Sequence, residues 1–318
     1  MRAVWLREFG EPEVLALGEA PDPVAGPGQV LVDVEYVNIT FVETQFRATG
    51  VGPFAASLPM IPGNGVGGTV AAVGPDVSSE LVGVRVVTST GGSGGYAERV
   101  AVDAGAIFRV PDDVVLDTAV ALLADGRTAT MMTRAVALKP GERVLVEAAA
   151  GGVGSLIVQL AKAAGARVIA AVGGQRKVAV ATELGAEVAV DYTDEGWPKQ
   201  VRDAVGAVDV VFDGVGGTVA RTAFELLDPG GRMVSFGLAS GSWAEIGEED
   251  AAARGVTLVR PSATPEELRA YTESALSKAA EGRLRPIIGQ RFPLGEAAAA
   301  HAAIQTRATV GKTLLVTR

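Results

Sequence analysis

The ten residues EAAAGGVGSL, Glu147 to Leu156, carry almost no side-chain bulk near the middle of a 318-residue chain. Such a bare stretch is expected where a ligand approaches the backbone closely, or where two backbone elements touch. The preceding RVLVEA predicts a buried strand, and the following VGSLIVQLAKAAG predicts an amphipathic helix that ends near Gly165. The stretch is therefore predicted to be a turn from a strand into a helix.

Strand and helix patterns alternate around this turn, from about Asp117 to Pro261. The further strand patterns are ARVIAAV, AEVAVDY, VDVVFDGV, GRMVSFG and GVTLVRPS, and helical patterns such as TAVALLADGRTATMMTRAV and QRKVAVATELG lie among them. Alternation of this kind is typical of a parallel sheet with helices on both faces. We therefore predict a doubly wound α/β domain over residues 119–261.

The remainder of the chain has a different character. QVLVDVEYVNI, GTVAAVG and VGVRVVTS predict short strands separated by Gly and Pro turns, which favours a partly closed barrel or a small sandwich. Two helical patterns and the strand-like GKTLLVTR follow Pro261. The predicted layout is a nucleotide-type domain inserted into a β-rich domain made of residues 1–118 and 262–318.

Two glycine motifs compete as the dinucleotide-binding turn. Gly63 to Gly68 matches G-x-G-x-x-G letter by letter, but prolines precede it and a strand pattern follows, so we interpret it as a turn of the β-rich domain. Ala149-x-Gly151-x-x-Gly154 has the poorer letters and the required strand–turn–helix context. Small residues there would let amides at the helix start bind a pyrophosphate. The alternative is close strand–helix packing without a ligand.

The second strand of the α/β domain indicates which dinucleotide is preferred. A chain that selects NAD would carry an acid about 20 residues after the turn, to bind the ribose 2′-hydroxyl. No acid lies between Glu147 and Glu183, and Gly173–Gly174 is followed by Arg176 and Lys177. Two cations without a carboxylate suit a 2′-phosphate, and so predict NADPH. The alternative is that both are ordinary solvated helix residues.

The composition excludes several classes of chemistry. The chain has no cysteine and one histidine, His301, so conventional zinc sites, disulfides and Ser-His or Cys-His nucleophiles are not expected. A net charge of -9 disfavours nucleic acid and anionic membrane surfaces as partners. No run resembles a signal peptide or a membrane span, and we expect a cytoplasmic protein. His301 lies in an Ala-rich helical pattern and is interpreted as a packing or surface residue.

These motifs resemble the zinc-free quinone oxidoreductases of the medium-chain dehydrogenase/reductase superfamily, the group that includes zeta-crystallin. The similarity covers nearly the whole chain. AAAGGVGSLIVQLAKAAGARVIAAVG is its most specific part, and ELGAEVAVDY, VVFDGVGG, GGRMVSFG and ATVGKTLL follow in family order. The resemblance implies a Rossmann-type doubly wound parallel sheet domain plus a β-rich GroES-like catalytic domain.

The resemblance also implies which residues bind NADPH. The cofactor-binding candidates are Thr128, Ala150, Gly151, Gly152, Val153, Gly154, Gly173, Arg176, Lys177, Tyr192, Phe236, Gly237, Leu238 and Lys312. Gly151 to Gly154 would lie along the pyrophosphate, and Gly173 and Lys177 would hold the 2′-phosphate. Phe236 to Leu238 would border the nicotinamide. The alternatives are a plain core position for Phe236 and a surface charge for Lys312.

The family segment Asn-x-x-Asp/Glu-Thr-Tyr lines the active cleft, and this chain departs from it. In TFVETQFR, Thr40 takes the Asn place and Gln45 takes the Tyr place, with Asn38 two residues upstream. Gly65 stands where the superfamily often carries an acid. The catalytic candidates are Thr40, Gln45 and Thr128, as hydrogen-bond donors to developing oxygen charge.

The expected activity is NADPH-dependent hydride transfer to a quinone without a metal. One alternative is reduction of an activated C=C bond, as in enoyl or 2-alkenal reductases. An alternative of another class is a non-catalytic NADPH-binding protein with a structural or regulatory role. The partners expected are a small electrophile, either quinone or enone, and a second copy of the chain in a homodimer, through edge strands near VTLVRPS.

Overall fold

The computed structural model describes residues 1–55 and 57–317, so Ala56 and Arg318 lie outside the description. The chain divides into two compact units. The first comprises Met1–Ala124 and Ala275–Arg318, and the second comprises Asp125–Ser274. We describe each unit by itself, with strands and helices numbered along the chain.

The first unit is built mainly from antiparallel strands. Its strands are β1 (Arg2–Leu6), β2 (Leu15–Glu19), β3 (Gln29–Ile39), β4 (Gly65–Val73), β5 (Arg85–Ser89), β6 (Arg99–Asp103), β7 (Ile107–Arg109), β14 (Ile288–Pro293) and β15 (Lys312–Val316). β1 and β2 form a hairpin, and the larger sheet has the order β14-β15-β3-β4-β5-β7, with β6 paired to β3. This arrangement confirms the β-rich domain.

Two helices, α1 (Phe41–Thr49) and α9 (Ala297–Gln305), belong to the first unit. His301 lies on the buried side of α9, where its Nε2 is 2.7 Å from the hydroxyl oxygen of Tyr96. Burial, reinforced by the charge of Arg47, lowers the pKa of His301 to about 3, so the ring is neutral at physiological pH. The interpretation of His301 as a packing residue is confirmed.

The Gly63–Gly68 motif serves the β-sheet of the first unit. Gly65 begins β4, and a Cβ added to Gly68 would lie 1.9 Å from the carbonyl oxygen of Asp33 on the paired strand β3. A Cβ at Gly67 would lie 2.2 Å from the side chain of Val120. The glycines are therefore needed for close packing of strands, and a strand follows them where dinucleotide binding requires a helix.

The second unit is a parallel sheet flanked by helices. Its strands are β8 (Arg143–Glu147), β9 (Arg167–Val172), β10 (Val188–Asp191), β11 (Val208–Asp213), β12 (Leu227–Ser235) and β13 (Thr257–Val259). Its helices are α3 (Gly152–Ala163), α4 (Gln175–Glu183), α5 (Trp197–Val205), α6 (Gly217–Glu225) and α7 (Glu248–Arg254). The strand order is β10-β9-β8-β11-β12-β13, and each pairing is parallel.

This order confirms the doubly wound parallel sheet predicted from the alternating patterns. The strands are buried on both faces, as the near-continuous runs of Val, Ile and Ala require. The chain turns from β8 to β9 on one side, whereas β11 lies on the other side of β8. The strand order therefore reverses between β8 and β11, and ligands of such sheets bind beyond the carboxyl ends of the strands at this switch point.

Helices α2 (Leu116–Ala135) and α8 (Pro265–Ala280) contain the points at which the two units divide the chain. The boundaries predicted from the sequence, at 118/119 and 261/262, lie nearer to the first residues of these helices. Composition changes where a helix begins, whereas the packing of the chain changes within the helix. No helix in the described ranges is both long enough and apolar enough to span a membrane.

Candidate functional site

The turn between β8 and α3 contains the opening stretch of the sequence. Gly151 is the N-cap of helix α3. The Ser155 N–H donates a hydrogen bond to the Gly151 carbonyl oxygen at the start of the helix. A Cβ added to Gly154 would lie 2.3 Å from the Ala148 carbonyl oxygen, and one added to Gly152 would lie 2.0 Å from Asp125 Oδ2. Close packing against backbone therefore explains the glycine at position 154, whereas at position 152 the neighbouring atom is the end of a side chain.

Packing does not explain Gly151 to the same degree. A Cβ there would lie 3.1 Å from the Ala148 carbonyl oxygen, a contact that a small shift relieves, and Gly151 has an extended backbone. The amides of the first helical turn have no acceptor within a helix. The two interpretations of this turn, close packing and anion binding, are thus compatible. Close strand–helix packing shapes the turn, and the amides at the helix start could still bind an anion.

The turn between β9 and α4 combines two of the predicted cofactor residues. A Cβ at Gly173 would lie 2.7 Å from the Tyr192 hydroxyl, so this tyrosine from the end of β10 covers the glycine. The N–H of Gly174 donates to Asp191 Oδ1 at 2.9 Å. Gly174 has φ +102° and no atom within 4 Å of a built Cβ, so this side of the turn is open.

The two cations that predict NADPH lie in the first turn of α4. Arg176 is exposed, and Lys177 is half-buried, with its N–H donating to the Gly174 carbonyl at 2.9 Å. Asp191, which sequence reasoning missed, holds this turn by accepting from Gly174 and from both the N–H and the hydroxyl of Thr193. Its signal is weak in the sequence, because it belongs to the next strand and not to the turn.

The end of β12 approaches the β8 turn. The predicted nicotinamide segment, Phe236 to Leu238, is half-buried. A Cβ at Gly214 would lie 2.5 Å from Phe236 Cζ and 3.3 Å from the Ala148 Cβ, so Gly214 is flanked by both residues. The half-buried Phe236 ring therefore lies beyond the carboxyl ends of the strands and is not a fully buried core residue. Thr128 lies on α2 and is half-buried in the same unit.

In the first unit, Thr40 caps α1 together with Glu43. Glu43 Oε2 accepts from the N–H and from the hydroxyl of Thr40, each at 2.7 Å, and Glu43 Oε1 accepts from the Asn64 N–H at 2.9 Å. Burial raises the pKa of Glu43, while these hydrogen bonds and the charge of Lys312 oppose the rise. The sequence signal was available, since TFVE is a capping box.

This contact restricts what Thr40 can do. A hydroxyl has one proton to donate, and in this structure it points to Glu43. A group bound beside Thr40 would therefore meet hydroxyl lone pairs. Gln45, half-buried on the same helix, has an amide with two N–H donors.

Lys312, at the start of β15, has 3% of its surface exposed and acts electrostatically on Glu43. The alternative interpretation of Lys312 as a surface charge is therefore wrong: the strand pairing of β15 with β14 and β3 carries it into the interior.

Asn38 explains the glycine at position 65. Its side chain is buried, and a Cβ at Gly65 would lie 2.4 Å from Asn38 Nδ2. Asn38 Nδ2 lies 3.5 Å from the Val120 carbonyl oxygen, and Asn38 Oδ1 has no hydrogen-bond partner. An acid at position 65 would collide with this amide. Among the residues described, no group of three or more His, Cys, Asp or Glu side chains is placed to hold a metal ion.

Comparisons with known proteins agree with this architecture. The family profile "Alcohol dehydrogenase GroES-like domain" matches residues 26–112, and "Zinc-binding dehydrogenase" matches residues 152–277. A quinone oxidoreductase of Pseudomonas aeruginosa is 34% identical, over 97% of each chain. A 2-haloacrylate reductase of a Burkholderia species is 31% identical, over 99% of this chain and 98% of its own. The Escherichia coli quinone oxidoreductase complexed with NADPH has a TM-score of 0.91 at 30% identity, with both chains fully covered.

Both halves of a dehydrogenase/reductase are thus matched in chain order. The similarity to these relatives extends over nearly the whole chain. The chain therefore belongs to the quinone oxidoreductase family of the medium-chain dehydrogenase/reductase superfamily. The family resemblance predicted from the sequence is confirmed, as is the GroES-like character of the first unit.

The role of Glu43 can be tested by substitution. We expect Glu43→Ala to lower stability by about 3 kcal/mol, a fall in Tm of roughly 5–10 °C, because the buried N–H groups of Thr40 and Asn64 lose their acceptor. Thermal unfolding monitored by circular dichroism measures this change. Glu80→Ala, at an exposed position of the same unit, is the control and should leave Tm nearly unchanged. Equal Tm values for the two variants would contradict the assignment.

Proposed function

We propose that this protein is an NADPH-dependent reductase that transfers hydride to quinones without a resident zinc ion. The observation that supports the proposal most directly is the glycine-rich start of α3 at the carboxyl end of β8. The neighbouring strand β9 leads into the turn before α4, whose first turn carries Lys177. The relatives named above, one of them complexed with NADPH, support the same activity.

The residues of the second unit fit a dinucleotide phosphate. Ala150, Gly151 and the first amides of α3, including those of Gly152, Val153 and Gly154, would hold the pyrophosphate through N–H groups and the positive end of the helix dipole. Gly174 leaves space at the next turn, where Arg176 and Lys177 would bind a 2′-phosphate. We also propose that Tyr192 lies beside the adenosine.

The remaining cofactor contacts are proposed at the nicotinamide end. Phe236, Gly237 and Leu238 form the segment that follows β12, and Thr128 lies on α2. Lys312 is a buried candidate, with 3% of its surface exposed, and its charge acts on Glu43. We therefore propose that Lys312 acts on the cofactor mainly through its charge.

The chemistry needs little from the protein beyond position. The nicotinamide ring supplies a hydride, and an electron-poor quinone accepts it without strong polarisation. Gln45 and Thr128 are proposed as donors to the developing oxygen charge. The Thr40 hydroxyl donates its hydrogen bond to Glu43, and so Thr40 is proposed to accept a hydrogen bond from the reduced product's hydroxyl. Solvent would supply the proton.

Reduction of an activated C=C bond is the second candidate function. It is favoured by the relative that reduces 2-haloacrylate, which is 31% identical over 99% of this chain. The hydride donor is the same in both reactions, and only the acceptor differs.

The coenzyme preference tests the 2′-phosphate assignment. We expect Lys177→Ala to weaken NADPH binding about tenfold or more and to leave NADH binding unchanged, because one charge-assisted contact is lost. Fluorescence titration of both coenzymes measures this difference. Lys199→Ala, which removes an exposed lysine of α5, is the matched control. Retained preference for NADPH in both Lys177→Ala and the double variant with Arg176→Ala would refute the assignment.

Steady-state assays with NADPH distinguish the candidate functions. We expect a higher kcat/KM for 1,4-benzoquinone and 9,10-phenanthrenequinone than for an enone. The opposite ranking would favour the C=C reductase. NADPH binding without turnover of either the quinones or the enone would favour the non-catalytic alternative and would contradict the enzymatic proposal.

We further propose that the protein works in the cytoplasm as a homodimer, in which the edge strand β13 of each copy takes part. A chain without cysteine suits a reducing compartment. Sedimentation analysis should give twice the 32.4 kDa of one chain. A single-chain mass at micromolar concentration would contradict the dimer.

A further inference from the structure

Two carboxyl groups meet inside the second unit, at the switch point of its sheet. Glu147 is the last residue of β8, and Asp213 is the last residue of β11. The two strands pair in parallel with Phe212 opposite Val146, so the next residue of each strand also lies side by side. Both side chains have 0% of their surface exposed.

The hydrogen bonds of the two groups differ. Asp213 Oδ1 accepts from the N–H groups of Val215 at 3.0 Å and Gly216 at 2.7 Å, and its Oδ2 accepts from the Ser235 hydroxyl at 2.7 Å. Glu147 Oε2 accepts from the Val215 N–H at 3.2 Å, the Gly214 N–H also lies close to this carboxyl group, and Glu147 Oε1 has no hydrogen-bond partner among residues 1–55 and 57–317. Both oxygens of Asp213 therefore accept hydrogen bonds, as suits a carboxylate, whereas Oε1 of Glu147 accepts none within the described part of the chain.

Charge balance requires a proton at this place. Neither carboxyl has an ion-pair partner anywhere in residues 1–55 and 57–317, and two adjacent carboxylates without one cannot both remain ionised in the interior. Burial, and next the negative charge of Asp213, raise the pKa of Glu147 well above its usual range. A proton held between Glu147 and Asp213 removes the repulsion, and the two side chains lie within hydrogen-bonding reach of each other.

We propose that Glu147 is neutral and donates its proton to Asp213, and that this pair is a positioning device for the cofactor-binding edge of the sheet. The inference rests on the proposed function, because it concerns how the NADPH site is held. Neither residue is proposed to touch the cofactor.

The backbone shows how the pair reaches the site. Asp213 holds the turn through Val215 and Gly216, as described above. The same turn binds the segment after β12: the N–H of Phe236 donates to the Asp213 carbonyl at 2.8 Å, that of Ala239 to Gly214 at 3.2 Å, and that of Ser240 to Val215 at 2.7 Å. Glu147 itself directly precedes Ala148 and the cofactor turn. The shared proton thus joins the two turns that would flank the dinucleotide.

Infrared spectroscopy tests the proton directly. We expect the wild-type protein without ligands to show, near pH 7, a C=O stretch of a protonated carboxyl that shifts in D₂O and disappears in Glu147→Gln. Glu249→Gln, the same change at an exposed position of α7, should retain the band. Absence of such a band from the wild type, or its persistence in Glu147→Gln, would overturn the proposal.

The pH dependence of stability gives a second measure. An unfolded glutamate loses its proton above a pH of about 4.3, whereas folded Glu147 keeps it until its raised pKa. The folded state then binds more protons, so this residue makes stability fall as pH rises through that window. We expect the urea midpoint of Glu147→Gln to rise relative to that of the wild type as the pH increases above about 5, until Glu147 loses its proton in the folded state. Parallel pH curves would contradict the proposal.

The link to the cofactor is tested by NADPH affinity. A glutamine can accept from Val215 and donate to Asp213, so we expect Glu147→Gln to bind NADPH within about twofold of the wild type near neutral pH. Toward alkaline pH the wild type should lose affinity relative to Glu147→Gln. Titration of Lys177 or Arg176 affects both proteins alike and cancels in the ratio of their dissociation constants. A ratio that stays constant through the pH range in which the infrared band of the wild type is lost would overturn the coupling.

Asp213→Ala removes the acceptor of two turn amides and the Ser235 hydroxyl, and we expect at least about tenfold weaker NADPH binding. Binding equal to that of the wild type would oppose a positioning role. Should this variant fail to fold, the infrared and Glu147→Gln measurements still decide. Failure of the wild type to bind NADPH would instead refute the proposed function, and the infrared band would be unaffected by that result.

Discussion

The contact on which the second unit depends is the approach of Gly154 to the carbonyl oxygen of Ala148. Any side chain at position 154 would occupy the space of that oxygen, because a Cβ would lie only 2.3 Å away. The close approach lets α3 start directly above the end of β8, and so points its first amides beyond the sheet edge. The fold requirement and the proposed ligand site therefore depend on the same backbone geometry.

Patterns with a strong period predicted the elements of the second unit well. The strands are continuous apolar runs and α3 has a clear apolar face, so that local sequence and burial agree. Three helices were missed. WPKQVRDAV, EEDAAAR and FVETQFRAT are short and polar, and their helical state depends on caps and on packing against one face. The parallel edge strand β14 was missed for a related reason, since its exposure alternates with little contrast in polarity.

The site was predictable where a residue acts through its own segment, and not where it acts across the fold. The glycines at 151–154 and the cations at 176 and 177 could be proposed from the sequence, because each set lies within its own β–α unit. Glu43 was visible as a capping residue, but its contact with Asn64 and its proximity to Lys312 come from distant strands. Glu147 and Asp213 each end a strand pattern, and only the pairing of β8 with β11 reveals that they form a pair.

The two buried glutamates show how one side chain acquires different states. Glu43 receives hydrogen bonds on both oxygens and lies within the field of a lysine, so its environment offers compensation for a negative charge. Glu147 accepts from amides of the turn after β11, one of which it shares with Asp213, and it has one oxygen without a hydrogen-bond partner among the described residues and a neighbouring carboxylate. A cationic side chain at the switch point could also neutralise the two carboxyl groups, but it would need space where the sheet edge is closely packed. A shared proton joins β8 to β11 with the smallest possible volume, which is the property that the glycine-rich turn beside it also requires.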